Sequence, residues 1–277
     1  MGLNLADASY EYVTGGTTSM PALERVSLAV EPGSLVLVVG ETGSGKSTLL
    51  RVAAGLLAPS SGSVTLDGEP LSRRVSRGMI GLVFQDPESQ LFAETVLQDT
   101  AFGPLNLGVG DREAREQAAE ALERVGLDVE TYGARSPFHL SGGEARRAAI
   151  AGVLAMRPRY LLFDEPTAGL DARGRQAVRR IITEERKRSG IVVVSHRADE
   201  FFDQADEVVM LSAGEAVFRG AASSLIAEPE AFSRAGLAMP DLLRLIALGR
   251  ERGASLMPGS VDAEAVAAAI ARSGGWA

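Results

Sequence analysis

There is no cysteine among the 277 residues. Disulfides, thiolate zinc centres and thiol nucleophiles are therefore excluded, and the chain is compatible with a reducing cytoplasm. Positive charge is in short supply: 28 lysines and arginines stand against 36 aspartates and glutamates, a formal net charge of −8. A protein that grips nucleic acid non-specifically needs a basic face against the phosphates, so this balance argues against that class. Long apolar runs are missing too. The longest, such as Ala148–Met156, fall far short of the ~20 residues a helix needs to cross a bilayer. Met1–Asp7 carries neither a basic nor an apolar segment, so no signal peptide is expected. We find no internal repeat, heptad pattern or low-complexity tract. What remains is enough chain for a large core, as one domain or one domain with an appendage. It is expected to be soluble, or held at a membrane only through other proteins.

Against these absences stands Gly40-Glu41-Thr42-Gly43-Ser44-Gly45-Lys46-Ser47, a G-x-x-x-x-G-K-S phosphate-binding loop. It follows the apolar, β-branched run Leu35–Val39, which reads as a buried strand, and precedes Thr48–Ala54, which reads as a helix. Strand, glycine loop and helix together raise the match from a pattern to a site. The glycines let consecutive backbone N–H groups turn inward toward phosphate oxygens, and the helix start adds the positive end of its dipole. Lys46 supplies a point charge for the β- and γ-phosphates, and the Ser47 hydroxyl can ligate Mg²⁺. A turn that bound nothing would not require Lys46 and Ser47 together at the helix start. The loop specifies a nucleoside triphosphate but neither the base nor the work done.

The rest of the chain reads as follows. Residues 3–30 give short antiparallel strands, with a turn at Gly15-Gly16 and another at Pro32-Gly33. Tyr12, upstream of the loop, can stack on a base or pack on a sheet face; the residues alone do not choose. Ser63–Leu66 is a strand and Asp67-Gly68 a hairpin turn. Met79–Phe84 is a buried strand ending before Pro87. From there to about residue 158 the pattern is helical: Glu94–Phe102, where the bland reading of Phe102-Gly103-Pro104 is an ordinary stop, then Asp111–Val125 and Ser141–Met156. Strands Tyr160–Asp164, Ile191–Ser195 and Glu207–Leu211 then alternate with helices Asp171–Arg188 and Asp199–Phe202. This alternation predicts a mostly parallel sheet with helices on both faces. The arginines of 173–188, interleaved with Glu184 and Glu185, read as a solvated helix face. Beyond about Gly220 the texture changes. Leu242–Leu248 presents Leu242, Leu245 and Ile246 on one face and ends at Gly253, and Ser260 caps a last helix, Val261–Ala271. Residues 221–277 are expected to form a small appendage that packs on the core or on a partner.

Two carboxylates, Asp164 and Glu165, emerge at the carboxyl end of the apolar strand Tyr160–Asp164, where open α/β sheets bind their ligands. Asp164 would hold Mg²⁺, and Glu165 would orient and polarise the attacking water. His196 lies at the end of another parallel strand and could hold the γ-phosphate or the water. His139 has no such placement. Gln85, at the end of Met79–Phe84, could touch Mg²⁺ or water. In Leu140-Ser141-Gly142-Gly143-Glu144, Ser141 and Glu144 form a capping box. Gly142 and Gly143 leave the helix start bare, which makes a second anion site. With one nucleotide already held by the P-loop, this second site makes most sense closing over a nucleotide on another subunit.

In this order and spacing, the P-loop, Gln85, Leu140–Glu144, Leu161–Pro166 and His196 resemble the ATP-binding cassette (ABC) ATPases, from about Leu3 to Gly220. The resemblance implies an α/β P-loop NTPase of the ABC ATPase type. That fold has a mostly parallel core sheet, an N-terminal antiparallel β part, a helical insertion at about 86–158 and a small C-terminal helical appendage. It implies ATP and Mg²⁺ as ligands. Tyr12 would be the base-stacking aromatic, and Gly40 to Thr48 with Gln85 would contact nucleotide. Ser47, Gln85 and Asp164 would lie at the metal, Glu165 and His196 would be catalytic, and Ala168–Asp171 would be a loop crossing between sites. Two subunits would sandwich two ATP molecules head to tail, each offering Ser141, Gly142, Gly143 and Glu144 to the other. More narrowly, Val83–Phe92, Thr95-Val96, Asp99–Gly108 and Arg146–Met156 look like the energy-coupling factor (ECF) ATPases. These power bacterial uptake of vitamins and of cobalt or nickel ions. In that family two ATPases dock on a transmembrane coupling protein, a separate small membrane protein binds the substrate, and a C-terminal extension helps the ATPases pair. The implied location is peripheral, on the cytoplasmic face of the cell membrane. Two departures stand out: Glu144 where glutamine is common, and Arg197 where many relatives carry an acid.

Alternatives of other kinds were weighed. The ATPase of another ABC importer class would share the chemistry and dock differently. A soluble ABC-type protein acting on nucleic acid or ribosomes usually carries two cassettes or coiled-coil arms, and this chain has one P-loop and an acidic balance. A scaffold without turnover would not need both Glu165 and His196.

Overall fold

The computed structural model describes residues 2–14, 18–251 and 263–272. The expected Gly15-Gly16 turn, the Gly253 helix end and the Ser260 cap with Val261 and Asp262 lie outside the described residues.

Two long strands, β1 (Leu3–Thr14) and β2 (Thr18–Val30), pair antiparallel from Leu3↔Val30 to Thr14↔Thr18. Register shifts between Leu5 and Glu11 break up this pairing, which is why the alternation reads as short pieces. Next come β3 (Leu35–Gly40) and α1 (Lys46–Ala53). Strands β4 (Ser61–Leu66) and β5 (Glu69–Pro70) are joined by Asp67-Gly68 with φ of 52° and 90°, the left-handed pair a two-residue hairpin turn requires. Strand β4 also pairs with β1, giving the sheet order β2-β1-β4-β5.

After the short α2 (Arg73–Ser76) and β6 (Ile80–Val83) the chain turns helical: α3 (Val96–Asn106), α4 (Asp111–Arg124), α5 (Val129–Tyr132) and α6 (Gly142–Ala155). It then alternates through β7 (Tyr160–Asp164), α7 (Ala172–Arg186), β8 (Gly190–Ser195), β9 (Glu207–Ser212) and β10 (Glu215–Gly220). Helices α8 (Glu230–Arg234), α9 (Asp241–Glu251) and α10 (Ala263–Arg272) follow.

Among the described residues the core sheet has the order β10-β9-β3-β8-β7-β6, parallel throughout except for the hairpin β9–β10. It is buried on both faces, so β3, β7 and β8 are continuous apolar runs rather than alternating ones. Alternate residues of one strand join different cores. Val36 and Val38 pack with α1 and the antiparallel sheet, whereas Leu35, Leu37 and Val39 pack with α6, α7 and the C-terminal helices. Fully burying each such side chain stabilises the fold by roughly 1.5–3 kcal/mol. Residues beyond β10, among them Phe232, Leu243, Ile246 and Val266, belong to the same apolar cluster as the core sheet.

Two expectations are corrected. Phe102-Gly103-Pro104 does not stop its helix, since α3 runs to Asn106 with Pro104 inside it. Gly103 lies against Met156 and Gly152 of α6, where a side chain would collide, so that glycine and the buried Pro104 serve packing rather than termination. On α9 the expected face holds, since Leu242, Leu245 and Ile246 all pack against the core, with Leu243 and Gly249 buried beside them. Helix α7, by contrast, is not solvated all along its charged face. Arg179 donates to the Glu200 carbonyl and to Asp203 at 2.8–2.9 Å, and Arg186 donates to the Gly33 and Gln204 carbonyls and to Asp206. Glu185 is buried against Arg124 of α4. Charge patterning shows where charges fall on the helix but not which neighbouring loops close over them.

Candidate nucleotide site

The strand order explains how residues far apart in sequence meet. Strand β3 lies between β8 and β9, and β7 between β8 and β6. Parallel pairing puts the carboxyl ends of β3, β8, β7 and β6 on one edge, delivering Gly40, Ser195-His196, Asp164-Glu165 and Gln85 together.

Between β3 and α1 the backbone must curl tightly. Gly45 has φ 102° and a Cβ there would collide with the Ala22 carbonyl, so only glycine fits. It caps α1 without any side-chain hydrogen bond, and the first turn carries no acid. The amides at the start of α1 are therefore open to an anion, with the helix dipole behind them. The loop residues Glu41, Thr42 and Gly43 are exposed, whereas Ser44, Lys46 and Thr48 are buried. The Lys46 ammonium donates to the Gly40 and Glu41 carbonyls at 2.8 and 2.7 Å. Its pKa is pushed down by burial, against the pull of Glu165 and Asp164.

Behind the loop, Ser47 donates to Asp164 Oδ1 at 3.1 Å. Burial holds the Asp164 carboxyl above its ordinary range, opposed by that hydrogen bond and by Arg51 and Lys46. Glu165 is also buried and raised by burial, opposed chiefly by the hydrogen bond to His196. The His196 Nδ1 lies 2.8 Å from Glu165 Oε2, and whenever that carboxylate is ionised Nδ1–H is the donor. Glu165 has φ 49°, a left-handed conformation uncommon outside glycine. Tyr12 stands beside the same loop, its hydroxyl 3.2 Å from Thr48 Oγ1 and its ring edge-on to Tyr10. Gln85 is exposed at the end of β6. His139 is exposed elsewhere.

The other motif forms its expected capping box. Ser141 accepts from the Glu144 amide, and Glu144 accepts from the Ser141 amide and hydroxyl at 2.8 and 2.7 Å. Those bonds hold the Glu144 carboxyl below its usual range. Gly142 and Gly143 have open space around them. This end of α6 opens onto a cavity of about 520 Å³ shared with Gly169–Asp171, and no P-loop residue lines it. Sequence reasoning missed Tyr132, which donates to Glu144 at 2.9 Å from α5. It also missed Arg146, whose guanidinium reaches three backbone carbonyls. Neither carries a local signal, because both contacts join segments distant in the chain.

A family model described as ABC transporter matches residues 23–168. The chain is 43% identical over 268 residues to the energy-coupling factor transporter ATP-binding protein EcfA2 of Symbiobacterium thermophilum, covering 95% of this chain and 93% of that one. It is 40% identical over 260 residues to EcfA2 of Clostridium perfringens, covering 91% of each. The chain belongs to the energy-coupling factor transporter ATP-binding proteins. Solved structures agree with the fold of this ATP-binding protein. It is similar to cbiO1 of Clostridium perfringens, part of the ABC transporter complex cbiONQ, with a TM-score of 0.72, 33% identity, and 88% of this chain and 98% of that one covered. It is also similar to the ATP-binding cassette MJ0796 in a dimeric post-hydrolysis state with ADP and Pi (TM-score 0.69, 28% identity, 79% and 98% covered). Among the described residues of this ATP-binding protein, no helix is long and apolar enough to cross a membrane.

Proposed function

We propose that this chain is the ATP-hydrolysing subunit of an ECF-type importer of vitamins or of cobalt or nickel ions. Two ATPase subunits pair head to tail, and the pair docks on a transmembrane coupling protein that serves a small substrate-binding membrane protein. The subunit lies on the cytoplasmic face of the membrane, associated only through those partners, and residues 221–277 help the ATPases pair. The observation that carries the chemistry is the convergence of Ser47–Asp164 and Glu165–His196 in front of the uncapped start of α1.

In this reading the triphosphate lies against the amides of Gly40 to Thr48, and Lys46 turns from its own loop's carbonyls to the phosphates. Tyr12 stacks on the base. The donor set at Ser47, Asp164 and Gln85 is all hard oxygen, which suits Mg²⁺ beside phosphate oxygens. When bound there, the ion would neutralise phosphate charge. Glu165 accepts the proton of the attacking water, and its raised affinity for protons makes it the better base. His196 holds Glu165 in register through Nδ1. Ser141, Gly142, Gly143 and Glu144 close over the partner's ATP, with Ala168–Asp171 crossing between sites.

The test is a native pull-down from the host's membranes in mild detergent, with the co-purifying proteins identified. Recovery of one coupling protein with one or several small membrane proteins supports the proposal. Two large permeases or a periplasmic binding protein would move the chain to another importer class. Recovery only with RNA or ribosomal proteins would overturn the transport role.

A further inference from the structure

Arg146 lies on the second turn of α6 and is 5% exposed. The buried residues around it on that helix are small or apolar: Ala145, Ala148, Ala149 and Ile150. Taking a guanidinium out of water costs several kcal/mol unless its protons find partners. The carboxylate in range, Glu88, stands 3.8 Å away with its side chain 48% exposed, too far and too wet to offset that cost. The compensation comes from backbone carbonyls. One terminal nitrogen donates to Pro166 at 3.1 Å and to Ala168 at 2.6 Å; the other donates to Gln85 at 3.2 Å. Nε is buried with no partner. The terminal nitrogens thereby grip two loops.

Those loops are the segment directly after Glu165 and the segment that begins at Gln85. The helix bearing Arg146 starts four residues upstream, at the Ser141–Glu144 cap. A single side chain thus joins the end of β6, the end of β7 and the start of α6. We propose that Arg146 is a positioning residue for hydrolysis, fixing the Pro166 and Ala168 carbonyls so that Glu165 is held at its working geometry only while α6 is seated. This rests on the assignment of Glu165 as the base. The planar fork is essential to the role, since it reaches carbonyls from two segments in one fixed geometry. A lysine keeps the charge but concentrates its donors at one point.

The full-length wild type, R146Q, R146K and E165Q are assayed for phosphate release against ATP concentration, with thermal melting alongside. E165Q is expected to lose turnover. R146Q is expected to lower kcat by about tenfold or more with KM within about twofold, because ATP is still held by the P-loop. R146K should recover part of the lost kcat. Hydrogen exchange gives a local readout. The Ala168 and Leu170 amides bond back to Glu165 and Thr167. They should exchange faster in R146Q, while the β3 amides stay protected. Wild-type kcat in R146Q, or a rise in KM matching the fall in kcat, overturns the proposal. Should R146Q not fold, R146K decides, since wild-type kcat in that variant overturns it equally. Unchanged turnover in E165Q would instead overturn the assignment of Glu165 itself, so the two failures are distinguishable.

Discussion

Replacing Glu165 by glutamine removes a proton acceptor while keeping shape and one hydrogen-bond acceptor for His196. The side chain is 8% exposed and its carboxyl is raised chiefly by burial. A neutral amide therefore suits its surroundings at least as well, and the fold should be as stable or more so. Losing a positioned general base slows a reaction by about 10²–10⁴-fold. That corresponds to roughly 2.7–5.4 kcal/mol on the barrier. ATP affinity should hold or improve, because on the proposed placement of the triphosphate one negative charge near it is gone while Lys46 and the start of α1 are untouched. The assay is phosphate release under saturating ATP, with equilibrium binding of a fluorescent ATP analogue measured on the same preparations. Turnover within about threefold of wild type would refute the role of Glu165. Parallel loss of analogue binding would refute the argument that the carboxylate acts on water rather than on nucleotide.

Three more outcomes follow from the geometry. Because burial raises Glu165 and the proposed general-base role needs it ionised, the acid limb of the kcat–pH profile should be shifted upward and disappear in E165Q. The same shift means that the native state holds this proton to higher pH than the unfolded chain. Its contribution to stability is therefore present below the unfolded pKa and lost as pH rises through the folded one, which melting across that window will show. Gly236, beyond β10, has φ 68°, and a Cβ there would collide with the Glu41 side chain of the P-loop. Gly236→Ala should cost about 1 kcal/mol or more in denaturant unfolding, and adding Glu41→Ala should relieve only the steric part, since the backbone strain remains. Arg124→Ala should cost about 3–5 kcal/mol by leaving the buried Glu185 unpaired. The double replacement of both partners by leucine should recover most of that loss in the same unfolding measurement.

Much of this protein was legible in the chain, wherever the physics is local. The run Leu35–Val39 reads as a buried strand because it lies inside a parallel sheet that is covered on both faces. The P-loop is legible because a curled backbone, a bare helix start and the Lys46-Ser47 pair must be contiguous to hold phosphate. The Ser141–Glu144 box and the Asp67-Gly68 turn each complete their own hydrogen bonds or dihedrals within four residues. Even the alternation of strands and helices after Tyr160 carried the parallel sheet. Only the tertiary structure decided what depends on the neighbours a residue acquires. Strand order brought His196 onto Glu165 and Asp164 onto Ser47. Close packing on α6 carried α3 through Gly103 and Pro104, where propensity alone predicts a stop. The arginines of α7 look solvated in sequence because charge spacing is a property of one helix. Arg179 and Arg186 are engaged because the segment joining β8 to β9, with Gly33 ahead of β3, lies across that helix. The grip of Arg146 on two loops and the contact of Gly236 with Glu41 join segments separated by tens to hundreds of residues. No local pattern encodes them, because their energy exists only once the sheet has closed its order.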